Sequence, residues 1–207
     1  MRLRTNVRSK AQSERGAVEN ITDKKKIIFD TTLALVREHG FHGTTMSMLI
    51  KNSGVAAGTI YHYFDSKESL IIELHAYIRT IIAEALLESD DESKSFKERF
   101  ITFWHRQWLF YTQNPDALYF IEQFVNSPYY LRCPYYQNDH CQNIIIRFVK
   151  TGIDAAILKP MHYKTMGIMV HSSVLTAAKI KLKNQLPMGP EEVDQVIEVV
   201  WDGILNK

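Results

Sequence analysis

From Thr22 onward, apolar residues recur at helical intervals, and the polar stretches between them carry helix start and stop signals. Thr22-Asp23 opens the first run with a hydroxyl cap followed by an acid facing the helix dipole. Ile28, Thr32, Leu35 and Val36 then share one face, with Phe29 beside them, and Gly40 supplies the stop. Thr44 is placed to cap a short helix from Thr45 to Asn52, with Met46, Leu49 and Ile50 inward. Ser53-Gly54-Val55 follows. A Gly between two short helical runs provides the positive φ of a tight turn. A third run, Ala56 to Phe64, sets Ile60 and Phe64 about one turn apart on a buried side. Asp65-Ser66 breaks it, and Ser66 caps a fourth helix through Leu70, Leu74 and Ile81 to Leu87.

Beyond a polar loop from Ser89 to Ser95, Phe96 to Thr112 reads as an aromatic-rich helix. Asn114-Pro115 starts the next one as a cap followed by Pro at the first position, and it runs to about Phe124 before Ser127-Pro128 ends it. An irregular Tyr-rich stretch follows. Helices are then predicted over Gln137 to Ala156, His162 to Lys183 and Glu191 to Leu205. There is no strand pattern, repeat or low-complexity tract. The expected fold is all-α, with a basic arm over 1–21, a three-helix unit of helix-turn-helix type over 22–68, and a C-terminal helical domain over 69–207.

The 207 residues carry only two Cys, which makes no disulfide framework. No stretch is long and apolar enough to span a bilayer, and the basic start has no apolar core of a secretory signal. A reducing cytoplasm is the expected location, with no membrane partner. Charge is distributed unevenly. Up to Lys67 there are eleven Lys/Arg against six Asp/Glu, and beyond it fourteen against seventeen. A basic front end suggests a polyanionic partner.

The run from Phe29 to Leu70 resembles the DNA-binding domain of the tetracycline-repressor (TetR) family. The resemblance is carried by His39-Gly40-Phe41, Thr44-Thr45, Ser53-Gly54-Val55, the segment GTIYHYF at Gly58 to Phe64, and SKESL at Ser66 to Leu70. Beyond this region only the helical layout matches. The residues themselves suit the role. A recognition helix must be short and must reach a groove about 12 Å wide. Ala56, Ala57 and Gly58 let the backbone approach DNA closely, and the methyl groups of the two alanines suit thymine methyls. The resemblance implies phosphate contacts for Thr59 and Tyr63, and phosphate or base-edge contacts for Tyr61 and His62. Thr45 sits at a helix N-terminus suited to a phosphate, and Lys67 adds a point charge. Each has a plainer reading: the tyrosines as half-buried caps, His62 and Lys67 as surface residues. Ala56 stands where the family often has Ser or Thr as a cap, a loss of about 1 kcal/mol. Ala57 replaces a longer polar side chain in many members, so DNA shape carries more of the specificity. Arg2, Arg4, Arg8, Lys10 and Arg15 in the arm suit either a narrow minor groove or a solvated tail.

In the second domain Phe96, Phe100, Phe103, Trp104, Trp108 and Tyr111 form a stripe at helical spacing, and Tyr119, Phe120 and Phe124 continue it on the next helix. These read either as core or as the walls of an apolar cavity. The resemblance favours a ligand held by Phe100, Trp104, Trp108, Tyr111, Phe120, Phe124 and His171; His105, Gln107 and Gln123 are further polar candidates. On the last two helices, Met166, Met169, Val170, Ser173, Val174 and Ala177 form one stripe, and Val193, Val196, Ile197, Val200, Trp201 and Ile204 another. The stripes suit either mutual burial or a symmetric four-helix bundle. The resemblance favours a homodimer through Met166, Val170, Val174, Val196, Ile197, Val200, Trp201 and Ile204. Cys133, His140 and Cys141 offer three ligands without a clear fourth, in no standard zinc spacing, so no metal or cofactor is expected.

Enzyme chemistry finds no support: there is no nucleophile elbow, phosphate loop, HExxH or dinucleotide Gly motif. The expected function is a transcriptional regulator, most simply a repressor released from palindromic double-stranded operator DNA by an apolar small molecule. The competing readings are a helical interaction protein and an enzyme, each using the fold as a scaffold.

Overall fold

The computed structural model describes residues 22–132, 140–184 and 186–207. The helices among them are α1 (Asp23–Gly43), α2 (Met46–Ser53), α3 (Ala57–Tyr63), α4 (Lys67–Ser89), α5 (Phe96–Gln113), α6 (Pro115–Val125), α7 (Pro128–Arg132), α8 (His140–Asp154), α9 (Tyr163–Lys183) and α10 (Pro190–Ile204). The described residues contain no strand, only an isolated antiparallel bridge between Leu158 and Leu205. The all-α reading therefore holds. No described helix is long and apolar enough to cross a membrane.

The helix ends follow their local chemistry, with a few departures from expectation. Helical geometry breaks at Gly40 (φ 67°, ψ 177°), as a Gly stop requires, but three further residues turn helically to Gly43. Thr45, not Thr44, caps α2, accepting from the Met48 N–H, while the Thr44 hydroxyl donates back to the Gly40 carbonyl at 2.8 Å. The Asn114 side chain also points backward, donating to Phe110 O at 2.8 Å and so closing α5, while its backbone carbonyl accepts from Leu118 N–H at the start of α6. The stretch after Ser127 was expected to be irregular and instead forms α7. Elsewhere the signals work as read: Thr22 accepts from Lys25 N–H, Ser66 from Ser69 N–H, and Ser95 forms a reciprocal capping box with Glu98.

The described residues fall into two compact units, one within Met1–Ile81 and Tyr119–Cys133, the other within Ile82–Leu118 and Pro134–Lys207. In the first, Ile28, Phe29, Val36, Leu49, Ile60, Phe64, Leu70 and Leu74 are buried. Phe29 lies against Phe64 and Tyr77, and Lys25 extends over Phe29 and Phe64 to reach Glu73 at 2.7 Å. Gln123 spans the break at Gly40: its amide donates to Val36 O and accepts from Phe41 N–H, both at 3.3 Å. It satisfies two backbone groups that a continuous helix would have paired internally.

In the second unit α9 packs on α5, α8 and α10. Trp104 is buried there and donates its indole N–H to Ser173 Oγ at 2.9 Å. Gly152 is required by packing, because a Cβ at that position would lie 2.5 Å from Phe96 and 2.7 Å from Leu158.

Candidate nucleic-acid interface

Within the first unit, α2 and α3 are joined by Gly54, which adopts φ 66°, ψ 6°. An L-side chain rarely tolerates that conformation, so the turn depends on the glycine. Ser53 Oγ accepts from Val55 N–H at 3.2 Å, and Val55 is buried, which fixes the exit from the turn. Ile60 and Phe64 anchor α3 from below at 0% and 1% exposure.

That anchoring decides what faces outward. Thr45, Ala57, Gly58, Tyr61 and His62 are exposed, while Thr59, Tyr63 and Lys67 are half-buried. A Cβ built on Gly58 meets nothing within 4 Å. No intramolecular packing asks for a glycine there, so its smallness is useful only to something approaching from outside. Tyr61 leaves 50% of its surface open, a costly placement for an aromatic ring that nothing in this unit rewards. Ala56 makes no side-chain cap bond, as expected from its lack of a polar group. Burial draws the Lys67 ammonium below the ordinary lysine pKa. The Tyr63 hydroxyl is not simply outward: it shares a hydrogen bond of 2.9 Å with Thr22 Oγ1. The sequence reading missed that bond, because it joins residues 41 positions apart.

The residues expected to hold a ligand are spread over both units. Phe120 and Phe124 are buried in the first, Phe120 edge-on to Phe41 at 5.3 Å and Phe124 stacked on His75 at 4.0 Å. Phe100, Trp104, Trp108, Tyr111 and His171 belong to the second. There His171 Nδ1 lies 2.9 Å from Gln107 Oε1, and the Gln107 amide donates to Phe103 O at 3.3 Å. The Trp108 indole N–H is buried without a hydrogen-bond partner among the described residues. A cavity bounded by Phe100, Trp104, Gln107, Phe148 and Val170 measures only about 20 Å³, room for roughly one water. A larger cleft, about 760 Å³, lies in the first unit between the Gly40 break and α6–α7, with Phe41, Glu68, Tyr119, Gln123, Tyr129 and Arg132 on its walls. Of these, only Tyr119 and Gln123 stand out in the sequence as ligand candidates, and no local pattern signals a cleft formed across that kink.

Of the residues expected at a dimer interface, Met166, Val170, Val174, Ile197 and Trp201 are already buried within the second unit. Trp201 lies 5.3 Å from the Phe100 ring and 6.3 Å from Phe96. Val196, Val200 and Ile204 are half-exposed. The open apolar surface on α9 and α10 comes from neighbours of these positions: Ile168 at 54%, Met169 at 58% and Val199 at 72% exposure. Ile168, Met169, Thr176, Ile180, Met188 and Val196 line a groove of about 480 Å³. Cys133, the side chains of His140 and Cys141, and the basic arm lie outside the described residues; among the described residues no group of three acidic, Cys or His side chains suits a metal.

Two short helices joined by a left-handed glycine, with the second helix bolted down on one side and bare on the other, make a DNA-binding helix-turn-helix domain. The family model for bacterial regulatory proteins of the tetR family matches residues 28–74, and the tetracyclin repressor-like C-terminal domain matches residues 95–205. The chain belongs to the TetR family of transcriptional regulators and is not an enzyme. It is 27% identical over 187 residues to an uncharacterized HTH-type transcriptional regulator of Haemophilus influenzae, covering 88% of this chain and 96% of that one. The crystal structure of a TetR family transcription regulator from Marinobacter aquaeolei superposes with a TM-score of 0.80 at 19% identity, over 89% of this chain and 96% of the other. That of FadR from Bacillus subtilis in complex with stearoyl-CoA gives 0.73 at 20% identity, over 86% and 98%. At those identities the two structures speak for the fold alone.

Proposed function

We propose that this regulator binds a roughly palindromic operator as a two-fold homodimer, represses from it in the cytoplasm, and is released by an apolar small molecule. The observation that carries the DNA reading is the outward face of α3, where Gly58, Tyr61 and His62 are exposed above a fully buried Ile60. Two-fold symmetry would set two such helices about 34–36 Å apart on successive major grooves.

The dimer reading is supported by the open apolar strip of Ile168, Met169 and Val199, beside the half-exposed Val196 and Val200. Burial within the subunit assigns Trp201 to the core, so Trp201→Glu is expected to unfold the domain. Val199→Glu with Met169→Glu leaves that core intact and is expected to yield folded monomer. Sedimentation at micromolar concentration checks this; a double variant that stays dimeric would move the interface elsewhere.

The effector reading rests on the aromatic density of α5, the Gln107–His171 pair and the unpartnered Trp108 N–H. FadR, a structural neighbour, was crystallised with stearoyl-CoA, an amphipathic molecule that joins a long apolar acyl chain to a charged nucleotide. Because the cavity beside Trp104 is closed to about 20 Å³, a ligand there must open it, which couples binding to a change of conformation. Release by tenfold needs about 1.4 kcal/mol of such coupling. The test is fluorescence anisotropy on duplexes selected by the protein from a random library, titrated with stearoyl-CoA and an apolar library. Sequence-specific binding reversed by a ligand is expected. Specific binding that no apolar compound reverses would remove the effector, and absence of specific binding would remove the operator.

A further inference from the structure

The cleft in the first unit beside the Gly40 break, about 760 Å³, lies within the size range of small-molecule sites. Its walls are held from several sides. Gly40 leaves the helical path at φ 67°, and the Gln123 amide bonds both sides of that break, at Val36 O and Phe41 N–H. Phe41 is buried edge-on against Phe120 at 5.3 Å and Tyr129 at 5.6 Å. Arg132 on α7 reaches Glu68 on α4 at 3.4 Å. The opening is therefore built into the folded unit, unlike the cavity of about 20 Å³ beside Trp104.

Its charge is unbalanced. Two carboxylates, Glu68 and Glu122, line the cleft from α4 and α6 against one guanidinium, that of Arg132. Arg132 has 64% of its side chain open and Glu68 39%, so solvent screens the positive charge more. The Tyr129 hydroxyl registers the result. Its pKa lies above the ordinary tyrosine value, first because of burial and then because of Glu68, whose effect exceeds the opposing one of Arg132. Tyr119 stands three residues before Glu122 on α6, shares its face of the helix, and leaves 43% of its surface open.

We infer that this cleft is a second small-molecule site, chemically distinct from the effector site proposed beside Trp104, and that it takes an organic cation with an aromatic or aliphatic body. Carboxylates on two walls supply the counter-charge, and tyrosine rings attract a cation through their negative faces. A neutral apolar molecule would desolvate both carboxylates without compensation. An anion would meet two like charges for one exposed guanidinium. Glu68 stands in the first turn of α4, directly after the helix-turn-helix, while no residue of α3 lines the cleft. The site thus borders the recognition helix and leaves its outward face free. The inference depends on neither the operator nor the apolar effector.

The test is isothermal titration calorimetry on the full chain without DNA. The probe is benzyltrimethylammonium, with benzyl alcohol and benzoate as its neutral and anionic counterparts. Titrations are run at pH 8, above the usual range of imidazole titration, because His39 and His42 also border the cleft. The cation is expected to bind at least about tenfold more tightly than either counterpart, since only it meets the two carboxylates with opposite charge. Glu68→Gln combined with Glu122→Gln should weaken it by about tenfold or more. Tyr119→Ala should weaken it about two- to fivefold. Arg132→Gln should strengthen it, because Glu68 loses its competing partner. That gain separates a binding site from a packing role, since a variant that only loosens the fold does not bind a ligand more tightly. Equal binding of the three probes, or no heat from the cation, overturns the inference. Cation binding that survives the paired Glu68 and Glu122 substitutions places the ligand elsewhere and also overturns it. So does tighter binding of benzoate that Arg132→Gln abolishes, which would make the cleft an anion site. Each of these failures leaves the readings of α3 and of the effector standing.

Discussion

Aromatic side chains do opposite work in the two units. On α5, Trp104 is 1% exposed and Tyr111 fully buried, and they contribute to the interior of the second unit. On α3, a helix of only seven residues, Tyr61 is half open to solvent and His62 is exposed beside it. The helix starts differ in the same sense. Ser95 and Glu98 close the first turn of α5 with a capping box, whereas Ala56 leaves that of α3 without a side-chain cap. The second unit uses its local chemistry for stability. The first gives some up along one face, and that face is the one a partner must fill. Function in this protein is thus marked less by which residue types occur than by which of them the fold leaves unsatisfied.

The contrast is breakable. Trp104→Ala should cost about 3–5 kcal/mol, the usual range for truncating a buried Trp, and should also strip Ser173 of its indole partner. Chemical denaturation measures it. A cost below about 1 kcal/mol would mean that α5 is not core and that its aromatics serve a ligand alone. Gly58→Ala should act in the opposite direction in the first unit. The added Cβ meets nothing, so stability should rise by a few tenths to about 1 kcal/mol, while operator affinity falls. If thermal melting and anisotropy show both quantities rising together, DNA does not approach that face. Lys67→Ala should have the smallest effect. Affinity should weaken similarly on all sequences, and the salt slope should drop by about one. An unchanged slope would leave the half-buried Lys67 as a structural residue of α4.

The sequence alone located the described helices other than α7, and the DNA-binding motif, because both are written in local chemistry. A cap and its target lie three residues apart, a helical face repeats every three to four, and the positive φ at Gly54 is a demand the chain makes within a few residues. Ile28, Val36, Leu49 and Ile60 are buried as their spacing implies. Where the local signals competed, neighbouring residues exchanged roles, as Thr44 and Thr45 did at the start of α2. What the sequence left open was decided by distance along the chain. Periodicity places Met166, Met169 and Val170 on one broad stripe. Only packing against α5, α8 and α10 buries Met166 and Val170 and leaves Met169 and its neighbour Ile168 outside. The Gln123 clamp on Phe41 spans 82 residues and the Thr22–Tyr63 bond 41, and no local pattern announces either. A stripe of hydrophobic residues states that a surface will be covered. Whether the cover comes from the same chain, a second copy or a ligand depends on long-range contacts that only the folded structure brings together.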